Sequence, residues 1–248
     1  MNFAGIALSM KALPDSRKRV RLSVIPERSF MEADYWRQRW EEKNIPFHEG
    51  CVNGYLKFYF ERLNCKTGDR VFVPLCGKAL DMQWICDQGC EVLGVELSPI
   101  AVTEYFEDNE IEYRCSRESP FDVFSGGGAT LLCGDIFDMS HAHFQGIEAI
   151  YDRAAYIAFD PDQRRRYAEF LCAMLPQGAP VLLLTLEYPQ ALMDGPPFSV
   201  GEAEVRERFT SRYHVAHLET RDIIQKQPRF QQKGLPELLA HAFMLIDR

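Results

Sequence analysis

The chain has 248 residues, 46% of them apolar, and a formal net charge of −8. That length suits one α/β domain that closes a full core without disulfide or metal staples. There is no run of eighteen apolar residues, which excludes a spanning helix, and the acidic balance excludes a protein that tracks phosphate backbones.

The charge is uneven. Residues 1–30 hold Lys11, Arg17, Lys18, Arg19, Arg21 and Arg28 against Asp15 and Glu27. The segment lacks hydrophobic periodicity and reads as a disordered basic extension. Its first ten residues are too weakly apolar for a signal peptide. A second methionine, Met31, stands just before the first strong pattern. The eight cysteines, 51, 65, 76, 86, 90, 115, 133 and 172, form no Cys-x-x-Cys pair. They read as buried, reduced thiols, with Cys86 and Cys90 one turn apart on a helix, and they point to the cytoplasm. His141 and His143 read as a solvated loop without a third ligand, so no metal site is expected.

In chain order, residues 31–43 predict a helix with Trp36 and Trp40 on one face. A turn follows over 44–50, then a second helix over 52–63. Residues 70–75 read as a buried strand, 78–89 as a helix ended by Gly89, and 91–97 as a second strand. Ser98 and Pro99 open the next helix. Strands are predicted over 129–135, 147–152 and 180–188, the last apolar on both faces as a central parallel strand is. Helices are predicted over 161–175 and 200–209, and strands over 213–222 and 241–248. Five strands separated by crossover segments imply a doubly wound parallel sheet, with ligands beyond the carboxyl ends of its strands.

Those ends carry unusual residues. After the first strand comes Pro74-Leu75-Cys76-Gly77-Lys78, where Gly77 allows a tight turn and close ligand approach. The pattern is not Gly-x-Gly-x-x-Gly, which favours a nucleoside ligand over a dinucleotide pyrophosphate. Glu96 ends the second strand, nineteen residues on, and suits ribose hydroxyls; the bland reading is a carboxylate at a helix start. Asp135 and Ile136 follow the third strand, where an acid and an apolar residue can flank an adenine, or Asp135 can simply cap a turn. Asp152 and Arg153 end the fourth as a surface ion pair, or with Arg153 orienting an anion.

Together, Trp36-x-x-x-Trp40, Phe47-His48, the run 73–78 (VPLCGK), Gly94-Val95-Glu96, Asp152-Arg153-Ala154 and Gly195-Pro196-Pro197-Phe198 resemble the thiopurine S-methyltransferase family over about residues 31–247. The resemblance implies a Rossmann-like class I methyltransferase: a seven-stranded, mostly parallel sheet with helices on both faces and an antiparallel last strand. It implies one domain over 31–248 with a helical lid over 31–63. It implies S-adenosyl-L-methionine as cofactor, held by Trp36, Trp40, Leu75, Gly77, Glu96, Asp135, Ile136 and Arg153, and an acceptor site with Phe47, Arg153 and Arg229. The implied activity is methyl transfer to the sulfur of small aromatic or heterocyclic thiols, of the detoxification type. Selenium or tellurium compounds, halide or thiocyanate are alternative acceptors of the same site. A non-catalytic nucleoside-binding protein of the same fold is the alternative outside enzymology. No residue is assigned as a catalytic base; His48 is the nearest candidate. Cys76 has no covalent role, since transfer from a sulfonium needs no enzyme-bound intermediate. A monomer without nucleic-acid or membrane partners is expected.

Overall fold

The computed structural model describes residues 27–248. Most of the basic extension expected over residues 1–30 lies outside the described residues. The helices are α1 (Glu27–Glu41), α2 (Gly54–Tyr59), α3 (Leu80–Asp87), α4 (Pro99–Asp108), α5 (Pro161–Met174), α6 (Glu202–Phe209) and α7 (Pro228–Gln231). The strands are β1 (Arg70–Pro74), β2 (Glu91–Glu96), β3 (Arg114–Glu118), β4 (Phe121–Gly126), β5 (Ala129–Cys133), β6 (Ile147–Arg153), β7 (Val181–Glu187), β8 (Tyr213–Asp222) and β9 (Leu239–Asp247).

They form one sheet in the order β3-β4-β5-β2-β1-β6-β7-β9-β8. The five expected strands are its parallel centre, from β5 to β7. The last strand, β9, inserts between β7 and β8 and runs against both. The sheet has nine strands rather than seven. The addition is the β3–β4 hairpin, which extends the β5 edge antiparallel. Every residue of β3 is exposed. An edge strand with both faces in water has no apolar alternation for periodicity to detect.

Local chemistry sets the helix boundaries. Ser98 caps α4 by accepting from Ala101 N, and Pro99 occupies its first turn. Asp160 caps α5 by accepting from Asp162 N and Gln163 N. The helix expected over 52–63 divides into α2, capped by Asn53, and a 3-10 turn over Phe60–Leu63. α1 begins at Glu27 rather than at residue 31. α3 ends at Asp87, so Cys90 leaves the helix that Cys86 occupies. All eight cysteines are free; Cys76 and Cys90 are buried, but Cys51 and Cys115 are exposed, against the expectation of burial. Cys51 lies in the bend before α2 and Cys115 on the exposed edge strand β3, where neighbouring residues give no sign of burial. His141 and His143 sit in a 3-10 turn in which Ser140 N donates to His143 Nδ1 at 2.9 Å.

One core layer packs Phe72, Ile150, Tyr167, Leu183 and Phe243 against α5 and α6. The other packs Val71, Val73, Ile85, Tyr105 and Leu182 against α2, α3 and α4. With both faces covered, the carboxyl edge of the parallel strands is where a ligand can enter. Among the described residues, no helix is long and apolar enough to cross a membrane.

Candidate functional site

A cavity of about 560 Å³ opens at that edge, roofed by α1 and the 42–53 segment. It falls within the roughly 300–1,000 Å³ of small-molecule sites. Every residue assigned above to the cofactor or acceptor site, Trp36, Trp40, Phe47, Leu75, Gly77, Glu96, Asp135, Ile136, Arg153 and Arg229, lines it.

The β1 turn is built for close approach. Leu75 and Gly77 both take left-handed backbone, with φ of 44° and 53°. A Cβ on Gly77 would stand 3.3 Å from the Trp40 ring. Leu75 has no such freedom, so its strained φ at a cavity wall is a cost held by the surrounding packing. Gly94 serves the same turn from beneath: a Cβ there would lie 2.8 Å from Cys76 Sγ. Cys76 thus fills the gap that Gly94 leaves, and burial pushes its thiol well above the usual range.

Glu96 is buried. Its Oε2 accepts from Gly77 N at 3.0 Å and its Oε1 from Ser98 N at 2.8 Å. Burial raises its pKa, and backbone N–H groups of Ser98, Gly77 and Leu97 pull the other way. A carboxylate offers about four acceptor positions, so beyond these N–H groups it can still accept from a ligand's hydroxyl. Asp135 caps its turn, Oδ1 accepting from Phe137 N at 2.9 Å, and the residue also lines the cavity.

Asp152 and Arg153 do not form a neighbour pair. Strand alternation sends them to opposite faces. Asp152 turns to the α5 side, where it accepts from Tyr167 Oη at 2.8 Å and Tyr156 N at 3.1 Å. Arg153 lines the cavity, with Nη2 2.7 Å from Glu49 and Nη1 3.9 Å from Asp81. Asp81 is itself fixed by Tyr151 Oη at 3.0 Å and Asn53 N at 2.7 Å. Glu49, Asp81 and Tyr151 are site residues that sequence reasoning missed. An acid in a helix's first turn and an aromatic in a buried strand carry no sign of a site in the sequence.

The roof is tied down at several points. The Phe47 ring meets Trp36 and Trp40 edge-on, with centroids 5.4 and 5.7 Å away. Lys43 and Lys78 converge on Glu104 of α4 at 2.5 and 2.7 Å, and Lys78 also reaches Asp108 at 2.8 Å. Arg229 donates to the Pro46 carbonyl and lies over the Phe230 ring. His48 lines the cavity too, its pKa lowered by burial and then by Lys78 and Arg153.

A doubly wound sheet with antiparallel β9, a nucleoside-sized cavity at its carboxyl edge and a ribose-compatible acid on β2 define a class I, S-adenosylmethionine-dependent methyltransferase. Solved structures carry the same fold. A SAM-dependent methyltransferase from Anabaena variabilis superposes with a TM-score of 0.62 at 12% identity, covering 87% of this chain and 95% of that one. The magnesium protoporphyrin IX methyltransferase of Synechocystis, solved with bound SAH, gives 0.60 at 13% identity over 89% of this chain and all of that one.

The family model for thiopurine S-methyltransferase (TPMT) matches residues 31–248, and the chain belongs to that family. A thiopurine S-methyltransferase of Nitrosospira multiformis is 42% identical over 218 residues, covering 88% of this chain and 99% of the relative. One from Pseudomonas paraeruginosa is 42% identical over 215 residues, at 87% and 99% coverage. The cofactor is therefore S-adenosylmethionine.

Proposed function

We propose that the enzyme methylates the sulfur of small aromatic or heterocyclic thiols, in the cytoplasm, as a monomer serving detoxification. The observation that carries this reading is the cavity's mixed lining. Leu184, Leu186, Pro196, Phe198 and Leu238 offer apolar walls for a ring, and Arg153 and Arg229 offer guanidinium groups for an anion. The names of the relatives agree with it.

In this reading Glu96 accepts from the ribose hydroxyls. Asp135 and Ile136 flank the adenine, and Leu75 and Gly77 form the floor. Trp36 and Trp40 cover the sulfonium end, where an aromatic face suits a cation. When bound, S-adenosylmethionine supplies a methyl group on an already activated leaving group. The protein's task is then alignment of the acceptor and exclusion of water. Arg153 favours the thiolate over the thiol, so no dedicated base is required.

Residues 31–63 act as a lid in the same reading, since Trp36, Trp40 and Phe47 pack over the β1 turn. Amide exchange across residues 36–50 is expected to slow when S-adenosylhomocysteine binds. Protection confined to the strand ends, with exchange in 36–50 unchanged, speaks against a lid.

The acceptor is tested by following cofactor consumption against 6-mercaptopurine, thiophenol, selenite, tellurite, iodide and catechol. The thiols are expected to turn over best; preferential use of catechol or of a chalcogen oxyanion overturns the assignment. Catalytic efficiency should rise with pH and level off at the pKa of each free thiol, so the break moves with the acceptor. His48→Gln should leave the break where it was. A break fixed below 6.5 for every acceptor, in keeping with the lowered pKa of His48, and abolished by His48→Gln, makes His48 the base instead.

A further inference from the structure

Arg153 is the best-placed cation for an anionic acceptor, yet its charge is already engaged. Two carboxylates face it, and they differ in kind. Asp81 is buried and holds both oxygens in fixed bonds, to Asn53 N and Tyr151 Oη. It belongs to the scaffold under β6 and its contact to Arg153 is long, 3.9 Å. Glu49 sits closer, at 2.7 Å. It comes from the segment between α1 and α2, and its side chain is 41% exposed while that of Arg153 is 15% exposed. Arg153 is its one ion-pair partner among the described residues. Asp81 therefore stays with Arg153 whatever the ligand, whereas Glu49 can swing into water at little cost.

An anion brought to the cavity face of Arg153 meets the Glu49 carboxylate there. Both cannot occupy the same guanidinium edge, because two like charges at hydrogen-bonding distance repel strongly in a partly desolvated site. We propose that Glu49 is a specificity-determining residue: its carboxylate holds the position at Arg153 that an anionic acceptor takes, and the acceptor binds by displacing it. This rests on the reading of the acceptor as a thiolate. Glu49 then sets a threshold for acceptors. A ligand that brings a full negative charge against the guanidinium, such as an aromatic thiolate, displaces the carboxylate. A neutral ring gains nothing from Arg153 and leaves the pair intact. Displacement also frees the 42–53 segment at one of its ties, so acceptor binding and roof position are coupled through a single ion pair. Arg229 holds the same segment at Pro46, which keeps the roof in place when Glu49 lets go.

The test uses the whole protein and two readouts. In steady-state kinetics with thiophenol at a pH where it is ionised, Glu49→Gln should lower the acceptor KM about tenfold, as expected for removing one competing charge at a half-exposed site. Glu49→Asp, which keeps the charge, should stay closer to the parent. In calorimetry with S-adenosylhomocysteine present, 4-nitrobenzoate should bind Glu49→Gln about tenfold more tightly than the parent, while the uncharged 4-nitrobenzamide should bind both equally. An unchanged or raised acceptor KM, an equal gain for the amide, or no binding of nitrobenzoate to either protein overturns the proposal. So does an effect confined to the KM of S-adenosylmethionine, which would place the competition at the cofactor's own carboxylate. The calorimetric arm needs no methyl transfer. If the parent fails to methylate any thiol, the acceptor reading falls while the displacement by Glu49 is still decided.

Discussion

Glu96→Ala is expected to weaken S-adenosylmethionine and S-adenosylhomocysteine binding by about 1.5–3 kcal/mol, the cost of losing charge-assisted bonds and leaving hydroxyls unpaired. That is roughly a ten- to hundredfold rise in Kd. The residue faces the cavity at the end of β2, where water can take over the N–H of Gly77, which also lines it; the N–H of buried Ser98 loses its acceptor, which costs about 1–3 kcal/mol of stability. The melting temperature should therefore fall modestly while the fold is kept. Calorimetry decides the matter: cofactor binding as tight as the parent's would falsify the ribose role. Loss of binding together with loss of fold would instead make Glu96 the keystone of the β1 turn. Glu96→Gln, which keeps one acceptor oxygen and discards the buried charge, should fall between.

Asp152 should govern stability rather than binding. It is fully enclosed behind Arg153, and burial raises its pKa to about 6 despite donors from Tyr167, Tyr156 and Ala155. Unfolded, it titrates near 3.8. Between those values the native state binds more protons than the unfolded chain, so this group's contribution to stability falls as pH rises from about 4 to about 6 and is constant above. The amide of Asp152→Asn cannot ionise. Relative to the parent, this variant should gain as pH rises through that window, by up to about 3 kcal/mol, the equivalent of a two-unit shift. Asp152→Ala should lose about 3 kcal/mol or more at every pH, since it leaves the Tyr167 hydroxyl and the Tyr156 N–H buried and unpaired. Urea melts at pH 4 and pH 7 separate the cases. A parent–Asn difference that does not vary with pH means that Asp152 already ionises normally in the fold.

Neither prediction had the same standing in the sequence. Glu96 could be picked out because strand, turn and acid lie within thirty residues, and the Gly77–Glu96 spacing is the chemistry itself. Asp152 was visible only as the neighbour of Arg153, and the pairing suggested by adjacency was wrong: alternation along β6 separates the two side chains. The Gly195-Pro196-Pro197-Phe198 run stands after the fifth strand in the sequence, but only the fold shows what it touches. Phe198 N donates to Ile157 O and Val200 N to Leu186 O, which lays the loop beside the ends of β6 and β7. The β3–β4 hairpin escaped notice because its outer strand buries nothing.

By itself, then, the sequence determined what is local: the parallel centre of the sheet, the caps at Ser98 and Asp160, the β1 turn around Gly77, and the cofactor class carried by strand-end residues. Backbone periodicity and turn chemistry act over a few residues and can be read in order. The tertiary structure alone decided which charges meet. Arg153 lies between Glu49 of the roof and Asp81 of α3, Arg229 holds Pro46, and Lys43 and Lys78 share Glu104. Each pair joins segments far apart in the chain, and what brings them together is burial of the sheet's two faces, which imposes no pattern on the charged residues left at its edge.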